Sequence, residues 1–271
     1  MTQSPTILVF DSGLGGLTVY REIAAARPDA SFVYAADDAA FPYGGWTEPA
    51  LSERVVSVIG GLIGQYEPDL VVIACNTAST LVLAELRRRF SIAFVGTVPA
   101  IKPACAVSRS RLVSVLGTEA TVAREYTRTL IRDYGEGCAV TLVGARRLAP
   151  LAEAHLRGQP VDPRIVAEEI APCFVEHRGQ RTDTIVLACT HFPLLLDALG
   201  AARPWPVTFI DPAEAIARRV IDLIGPVAPD AAPGGAQIHF TSGAAPSAAL
   251  AQSLADFGLQ PMPESADSAL L

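Results

Sequence analysis

Apolar residues along the chain fall into short continuous runs, separated by longer stretches in which apolar positions recur every three to four residues. That alternation is the pattern of fully buried strands interleaved with amphipathic helices. Residues 7–10, 32–35, 70–74 and 93–95 read as strands in the first half, and residues 112–116, 140–143, 184–188 and 207–210 in the second. Strands that alternate with helices predict an α/β fold of mainly parallel sheets with helices on both faces. The two sets of four also resemble each other in order, and the sharpest echo sets Val71-Val72-Ile73-Ala74-Cys75-Asn76-Thr77 against Ile185-Val186-Leu187-Ala188-Cys189-Thr190-His191. An internal duplication follows, with two pseudo-symmetric lobes facing each other across a cleft.

Beyond residue 210 the pattern gives an amphipathic helix over 212–224 and a breaker-rich surface loop over 226–235. A short edge strand over 238–242 and a helix over 246–257 follow, and the chain from Pro261 onward reads as poorly ordered.

Composition narrows the function classes. The chain has 271 residues, half of them hydrophobic, enough for one large or two medium domains. Mean hydropathy is positive at +0.33, yet every apolar run is broken well short of the ~18 residues a membrane span needs. Residues 1–10 lack the pattern of a secretory signal, so a cytoplasmic location is expected. The five cysteines stand at irregular spacing with no C-x-x-C pair, against a disulfide framework or a zinc site. A net charge of −7 offers no footprint for nucleic acid, and Arg87-Arg88-Arg89 reads as a solvated helix end. Lys102 is the single lysine and sits beside Pro103, which disfavours a pyridoxal phosphate Schiff base and points to chemistry without a cofactor.

Chemistry concentrates where the strands end. In open parallel sheets ligands bind outside the carboxyl ends of the strands, and Cys75 and Cys189 both fall there. A helix expected after each would aim N–H groups at the cleft, binding carboxylate and favouring thiolate. Two facing thiols can remove a proton from one face of a carbon and deliver one to the other. Asn76, Thr77, Thr118, Thr121 and Thr190 are donors suited to the carbanionic charge so formed. Asp11 can orient a thiol or hold an ammonium group, and it can equally cap the helix from about Leu17. His191 can assist Cys189 as acid or base. Pro42-Tyr43-Gly44-Gly45 is a turn whose glycines permit close backbone approach. Gly13-Leu14-Gly15-Gly16 fails the dinucleotide spacing because position 18 is Thr18.

Four motifs carry a resemblance: Phe10-Asp11-Ser12-Gly13-Leu14-Gly15-Gly16-Leu17, Pro42-Tyr43-Gly44, Ala74-Cys75-Asn76-Thr77-Ala78 and Ala188-Cys189-Thr190-His191-Phe192-Pro193-Leu194. Together they resemble glutamate racemases of the aspartate/glutamate racemase superfamily. The resemblance implies cofactor-independent interconversion of L- and D-glutamate by paired cysteines, supplying D-glutamate for peptidoglycan. It also implies substrate contacts from Asp11, Ser12, Pro42, Tyr43, Gly44, Asn76, Thr77, Thr190 and His191, with Thr118 and Thr121 added. Asp37 and Glu153 are the further helper carboxylates it suggests. Two like α/β lobes are implied, residues 1–98 with a returning segment 208–271, and residues 99–207. A homodimer is implied as well, with no metal, nucleic acid or membrane partner. Three rival readings share some of these residues: an aspartate racemase or related isomerase, a cysteine hydrolase using Cys189 and His191, and a non-catalytic amino-acid-binding module.

Overall fold

The computed structural model describes residues 4–227 and 230–261. The first lobe opens with β1 (Thr6–Asp11), α1 (Leu17–Ala26), β2 (Ser31–Ala36), α2 (Glu48–Tyr66), β3 (Leu70–Ile73), α3 (Asn76–Arg89) and β4 (Ala93–Gly96). The second lobe runs through α4 (Ile101–Val107), β5 (Leu112–Gly117), α5 (Glu119–Ala123), α6 (Glu125–Tyr134), β6 (Ala139–Gly144), α7 (Leu148–Leu156) and α8 (Pro163–Ile170). It continues with a small hairpin of β7 (Glu176–His177) and β8 (Gln180–Arg181), then β9 (Thr184–Ala188), α9 (Leu196–Ala202) and β10 (Thr208–Ile210). The chain closes with α10 (Ala213–Ile224), β11 (Ala236–Phe240), α11 (Ala248–Asp256) and β12 (Gln260–Pro261).

Both sheets are parallel throughout. The first has the order β12-β11-β2-β1-β3-β4 and the second β10-β9-β5-β6. Counting the four strands of each half in chain order, both read second-first-third-fourth, so the duplication seen in the sequence is a duplication of topology. In that order the connections leave in opposite directions from the first and third strands, which opens a crevice at their carboxyl ends. β1 and β3 meet there in one lobe, β5 and β9 in the other.

Period-two alternation explains the layers. Ile7 and Val9 of β1 face a core shared with Leu17 and Ile23 of α1, Ile216 and Val220 of α10, and Leu250 and Leu254 of α11. Leu8 and Phe10 face the opposite core, with Val55 and Ile59 of α2 and Val82 and Leu86 of α3. In β9, Ile185 and Leu187 pack with Val166 of α8 and Leu199 of α9, whereas Val186 and Ala188 pack with Ile101 and Ala104 of α4. Strands buried on both sides need the continuous apolar runs the sequence displays.

The structure corrects the reading in three places. β10 pairs with β9 in the second sheet, so the chain returns to the first lobe after Ile210 and not at residue 208. β11 is shielded on its outer side by β12 and is not the edge strand. A helix starts directly after Cys75, but Cys189 is followed by a short 3-10 turn, Phe192–Leu195, before α9. Pro261 closes β12, and the remainder of the tail read as poorly ordered lies outside the described residues. Among the described residues no helix is long and apolar enough to cross a membrane.

Candidate active site

One cavity lies between the two crevices, with about 330 Å³ of space not filled by atoms, part of it open to solvent. The first lobe lines it with Ser12 from the turn after β1, Pro42, Tyr43 and Gly44 from the turns after β2, and Cys75, Asn76 and Thr77 after β3. From the second lobe come Thr118 after β5 and Cys189, Thr190 and His191 after β9. Each sulfur therefore reaches the same space from an equivalent point of its own lobe.

Cys75 stands at the N-terminal end of α3, where the Ala78 N–H points at its sulfur. That donor favours a thiolate, but burial and then the charge of Asp11 outweigh it and push the thiol up to about 12. Cys75 is accordingly a protonated donor, and its Sγ donates to Ser12 Oγ at 3.6 Å. Burial and Asp11 thus disfavour at Cys75 the thiolate that the helix end alone would promote.

Cys189 has different company. Its Sγ lies 3.9 Å from His191 Nδ1, and His191 Nε2 lies 3.0 Å from Glu153 Oε1. Glu153, from α7, also accepts from Leu14 N at 2.6 Å and from Arg157 Nη2 at 3.0 Å. Burial alone lowers the His191 value, but the hydrogen bonds with Cys189 and Glu153 prevail and raise it well above the ordinary imidazole. Burial likewise opposes ionisation of Glu153, and His191 with the Leu14 N–H holds it below the usual carboxylate range. The result is a buried imidazolium–carboxylate pair whose other ring N–H, at Nδ1, faces the Cys189 sulfur.

The glycine motif serves this pair. A Cβ on Gly13 would collide with the Glu153 carboxylate, and one on Gly15 would collide with the His191 ring. At Gly16 it would stand 2.8 Å from Asp11 Cβ and 2.9 Å from the Tyr34 hydroxyl. The glycines let side chains of the second lobe lie on the backbone of the first.

Four residues named from the sequence stand behind the cavity wall. Asp11, fully buried, accepts from Gly13 N and from Thr190 Oγ1, both at 2.9 Å. The helix α1 is not capped by it, since its N-cap position is Gly16. Thr121 lies 3.2 Å from Thr77 Oγ1 and 2.9 Å from Thr118 Oγ1, completing a hydroxyl cluster that links the lobes. Glu153 touches the cavity lining at His191, 3.0 Å from Nε2. Asp37 is bound to Tyr43 at 2.5 Å and does not line the cavity, contrary to its expected part as a catalytic helper.

The buried amide of Asn76 has neither its nitrogen nor its oxygen paired, a costly state in a folded protein unless a bound molecule supplies the partners. Arg124 follows α5, and its Nη1 donates to Glu48 Oε1 of the first lobe at 2.6 Å. Lys102 stacks on Tyr134, 5.4 Å from the ring centre, away from the cavity. Sequence reasoning missed Phe41 and Ala149 on the cavity wall and Arg124 between the lobes. Phe41 directly precedes the Pro-Tyr-Gly turn, the one signal that pointed to it.

Over 221 residues the chain is 59% identical to the glutamate racemase of Brucella anthropi, covering 81% of this chain and 80% of that one. The glutamate racemase of Brucella canis is 58% identical over 219 residues, 80% of this chain and 79% of that one. The crystal structure of Escherichia coli glutamate racemase, in complex with L-glutamate and the activator UDP-MurNAc-Ala, superposes with a TM-score of 0.87. It shares 39% sequence identity, covering 95% of this chain and 97% of that one. Residues 7–220 match the family described as Asp/Glu/Hydantoin racemase; the chain belongs to that family and is an isomerase.

Proposed function

We propose that this chain interconverts L- and D-glutamate without a cofactor, with Cys75 and Cys189 as the two acid/base groups. The observation that carries the reading is the arrival of both sulfurs in one cavity from equivalent points of two like lobes. One sulfur, as thiolate, removes the α-proton from one face while the other, as thiol, delivers a proton to the opposite face, and the roles exchange in the reverse direction. Cys75, held as a thiol, is ready to donate. His191, held charged by Glu153 through Nε2, turns its Nδ1–H toward Cys189 Sγ and can deliver a proton to it.

Carbanionic charge formed at the α-carbon spreads into the adjacent carboxylate and needs fixed donors there. The unpaired Asn76 amide and the hydroxyls of Thr77, Thr118 and Thr190 supply them, while Ser12 and the turn of Pro42, Tyr43 and Gly44 contact the rest of the substrate. Similarity to the glutamate racemases, one of them solved with L-glutamate bound, supports glutamate over aspartate. A supply of D-glutamate for peptidoglycan, a cytoplasmic location and a homodimer belong to the same proposal, on the strength of the family resemblance.

The test is isotope exchange. Wild type incubated in D2O with either enantiomer should invert it, as read by circular dichroism, and place deuterium at the α-carbon. Cys75→Ser and Cys189→Ser should each lose inversion by roughly 10²–10⁴-fold or more, with residual exchange from one enantiomer only, opposite in the two variants. Folded wild type that leaves the α-hydrogen in place, or a Cys75→Ser protein at full activity, would remove the two-thiol mechanism.

A further inference from the structure

Asp37 follows β2 by one residue, is fully buried, and has both carboxylate oxygens occupied twice. Its Oδ1 accepts from Arg54 Nη2 and from Thr241 Oγ1, each at 2.6 Å. Its Oδ2 accepts from Arg54 Nε at 2.8 Å and from the Tyr43 hydroxyl at 2.5 Å. A carboxylate offers about four acceptor sites, so none remains for a substrate proton. The paired donors of Arg54 on the two oxygens form the planar fork that fixes a carboxylate in position as well as in charge.

The three donors come from separate parts of the chain. Arg54 lies on α2, Tyr43 in the turn that lines the cavity, and Thr241 directly after β11, the strand brought back by the returning segment. Thr241 N donates to Ala36 O at 3.0 Å, and Ser242 N donates to Asp38 Oδ1 at 2.9 Å, so the returning strand grips the loop after β2 at several points. Tyr43 is buried and lines the cavity together with its neighbours Pro42 and Gly44.

We propose that Arg54 and Thr241, neither of which lines the cavity, are positioning residues for the racemisation, acting through Asp37 on Tyr43 and hence on the Pro42-Tyr43-Gly44 wall. This rests on the function proposed above. Removing either donor leaves a buried carboxylate short of a partner and frees the tyrosine to move. The returning segment thus completes the support of the site as well as the sheet.

The experiment compares full-length wild type, Arg54→Met, Thr241→Val and Tyr43→Phe, and each outer variant in the Tyr43→Phe background. KM and kcat for glutamate are read in both directions, together with backbone hydrogen exchange over residues 41–46. Thr241→Val, which loses one charge-assisted hydrogen bond, should raise KM roughly tenfold, and Arg54→Met, which loses two, by at least as much. Exchange over 41–46 should quicken, and neither substitution should add more than about twofold once Tyr43 is phenylalanine. Variants with wild-type KM and altered thermal stability alone, or losses that multiply in the Tyr43→Phe background, would overturn the inference. An active wild type with unmoved variants defeats only the positioning role. An inactive wild type defeats the functional reading, while the exchange of residues 41–46 still reports whether the brace acts on the wall.

Discussion

Thr190 Oγ1 donates to Asp11 Oδ2 at 2.9 Å, joining the residue after Cys189 to the last residue of β1. One carboxylate thereby holds its own turn through Gly13 N and grips the opposite lobe through a hydroxyl. Burial raises the proton affinity of Asp11, with His191, Thr190 and Gly13 pulling the other way. Its charge stands second only to burial among the influences that raise the Cys75 thiol. The contact between the lobes and the charge that acts on the Cys75 thiol therefore meet at a single side chain.

Asp11→Asn separates these effects from simple packing. An amide keeps one acceptor for Gly13 N but puts N–H groups in place of the other, so the Thr190 hydroxyl must turn from donor to acceptor. We expect kcat/KM to fall by about 100-fold or more. With the negative charge gone, the thiolate of Cys75 becomes easier to form and its titration moves down. Thiolate absorbance against pH, taken as the difference between Asp11→Asn with and without Cys75→Ser, reads that shift. A Cys75 titration unmoved from wild type would break the link.

Gly15→Ala should inactivate the enzyme without unfolding it. The added methyl meets the His191 ring, and overpacking of this kind costs about 1–3 kcal/mol when a neighbour must move. The neighbour that moves is the imidazole beside Cys189, so activity should fall by at least tenfold while far-ultraviolet dichroism stays as in wild type. Gly44→Ala is the contrast, since a Cβ there meets nothing within 4 Å. Equal losses from both substitutions would argue that the glycines serve loop conformation and not the approach of His191.

How far the sequence carried this picture follows from the range of each interaction. Strands of both lobes were legible because double burial writes itself as apolar runs, and Cys75 and Cys189 because duplication repeats its motif. The meaning of Gly13 and Gly15 was not, because the side chains that lie on them, Glu153 and His191, are 140 and 176 residues away. Asp37 drew attention by its place after a strand, yet its role is set by Arg54 and Thr241, 17 and 204 residues distant. An arginine on an amphipathic helix reads as solvated, and nothing local distinguishes one that turns inward. The strand β10 was legible as residues 207–210, but the lobe boundary at 208 cut it from its own sheet, because side-chain pattern marks a strand without showing which neighbour it pairs with.

The His191–Glu153 pair makes a signed prediction about pH. His191 has a folded value raised above 6.5, so its contribution to stability is fully present below about 6.5 and is lost as pH rises through the folded value. Glu153 has a folded value lowered below 4.5, so its contribution is present above about 4.5 and is lost as pH falls through the folded value. The pair is strongest between those limits. Glu153→Gln, which leaves a buried imidazole without its counter-charge, should cost about 3 kcal/mol there, and the gap from wild type should narrow as pH climbs beyond 6.5. Urea midpoints from pH 5 to about 9 measure it, and a gap that widens with alkali would contradict the assignment of charge.

Cys173 offers a test of burial without catalysis. It is fully buried in the core of the second lobe, outside the cavity, and burial alone pushes its thiol from 9.0 up to about 12. Cys75 is raised to the same level, with burial again the leading cause. Below about 9 both thiols are protonated whether the chain is folded or not, and they add no slope. Above it the unfolded chain gives up the protons and the folded chain keeps them, so stability declines with rising pH until the folded value near 12 is passed. Each thiol should contribute at most about 1.4 kcal/mol per pH unit in that window. Cys173→Ala and Cys75→Ala should therefore flatten the alkaline decline to a similar extent, although only Cys75→Ala abolishes racemisation. Denaturant unfolding at stepped pH between 8 and about 11 decides it: a Cys173→Ala protein with the wild-type slope would mean that its thiol ionises in the folded core as freely as in water.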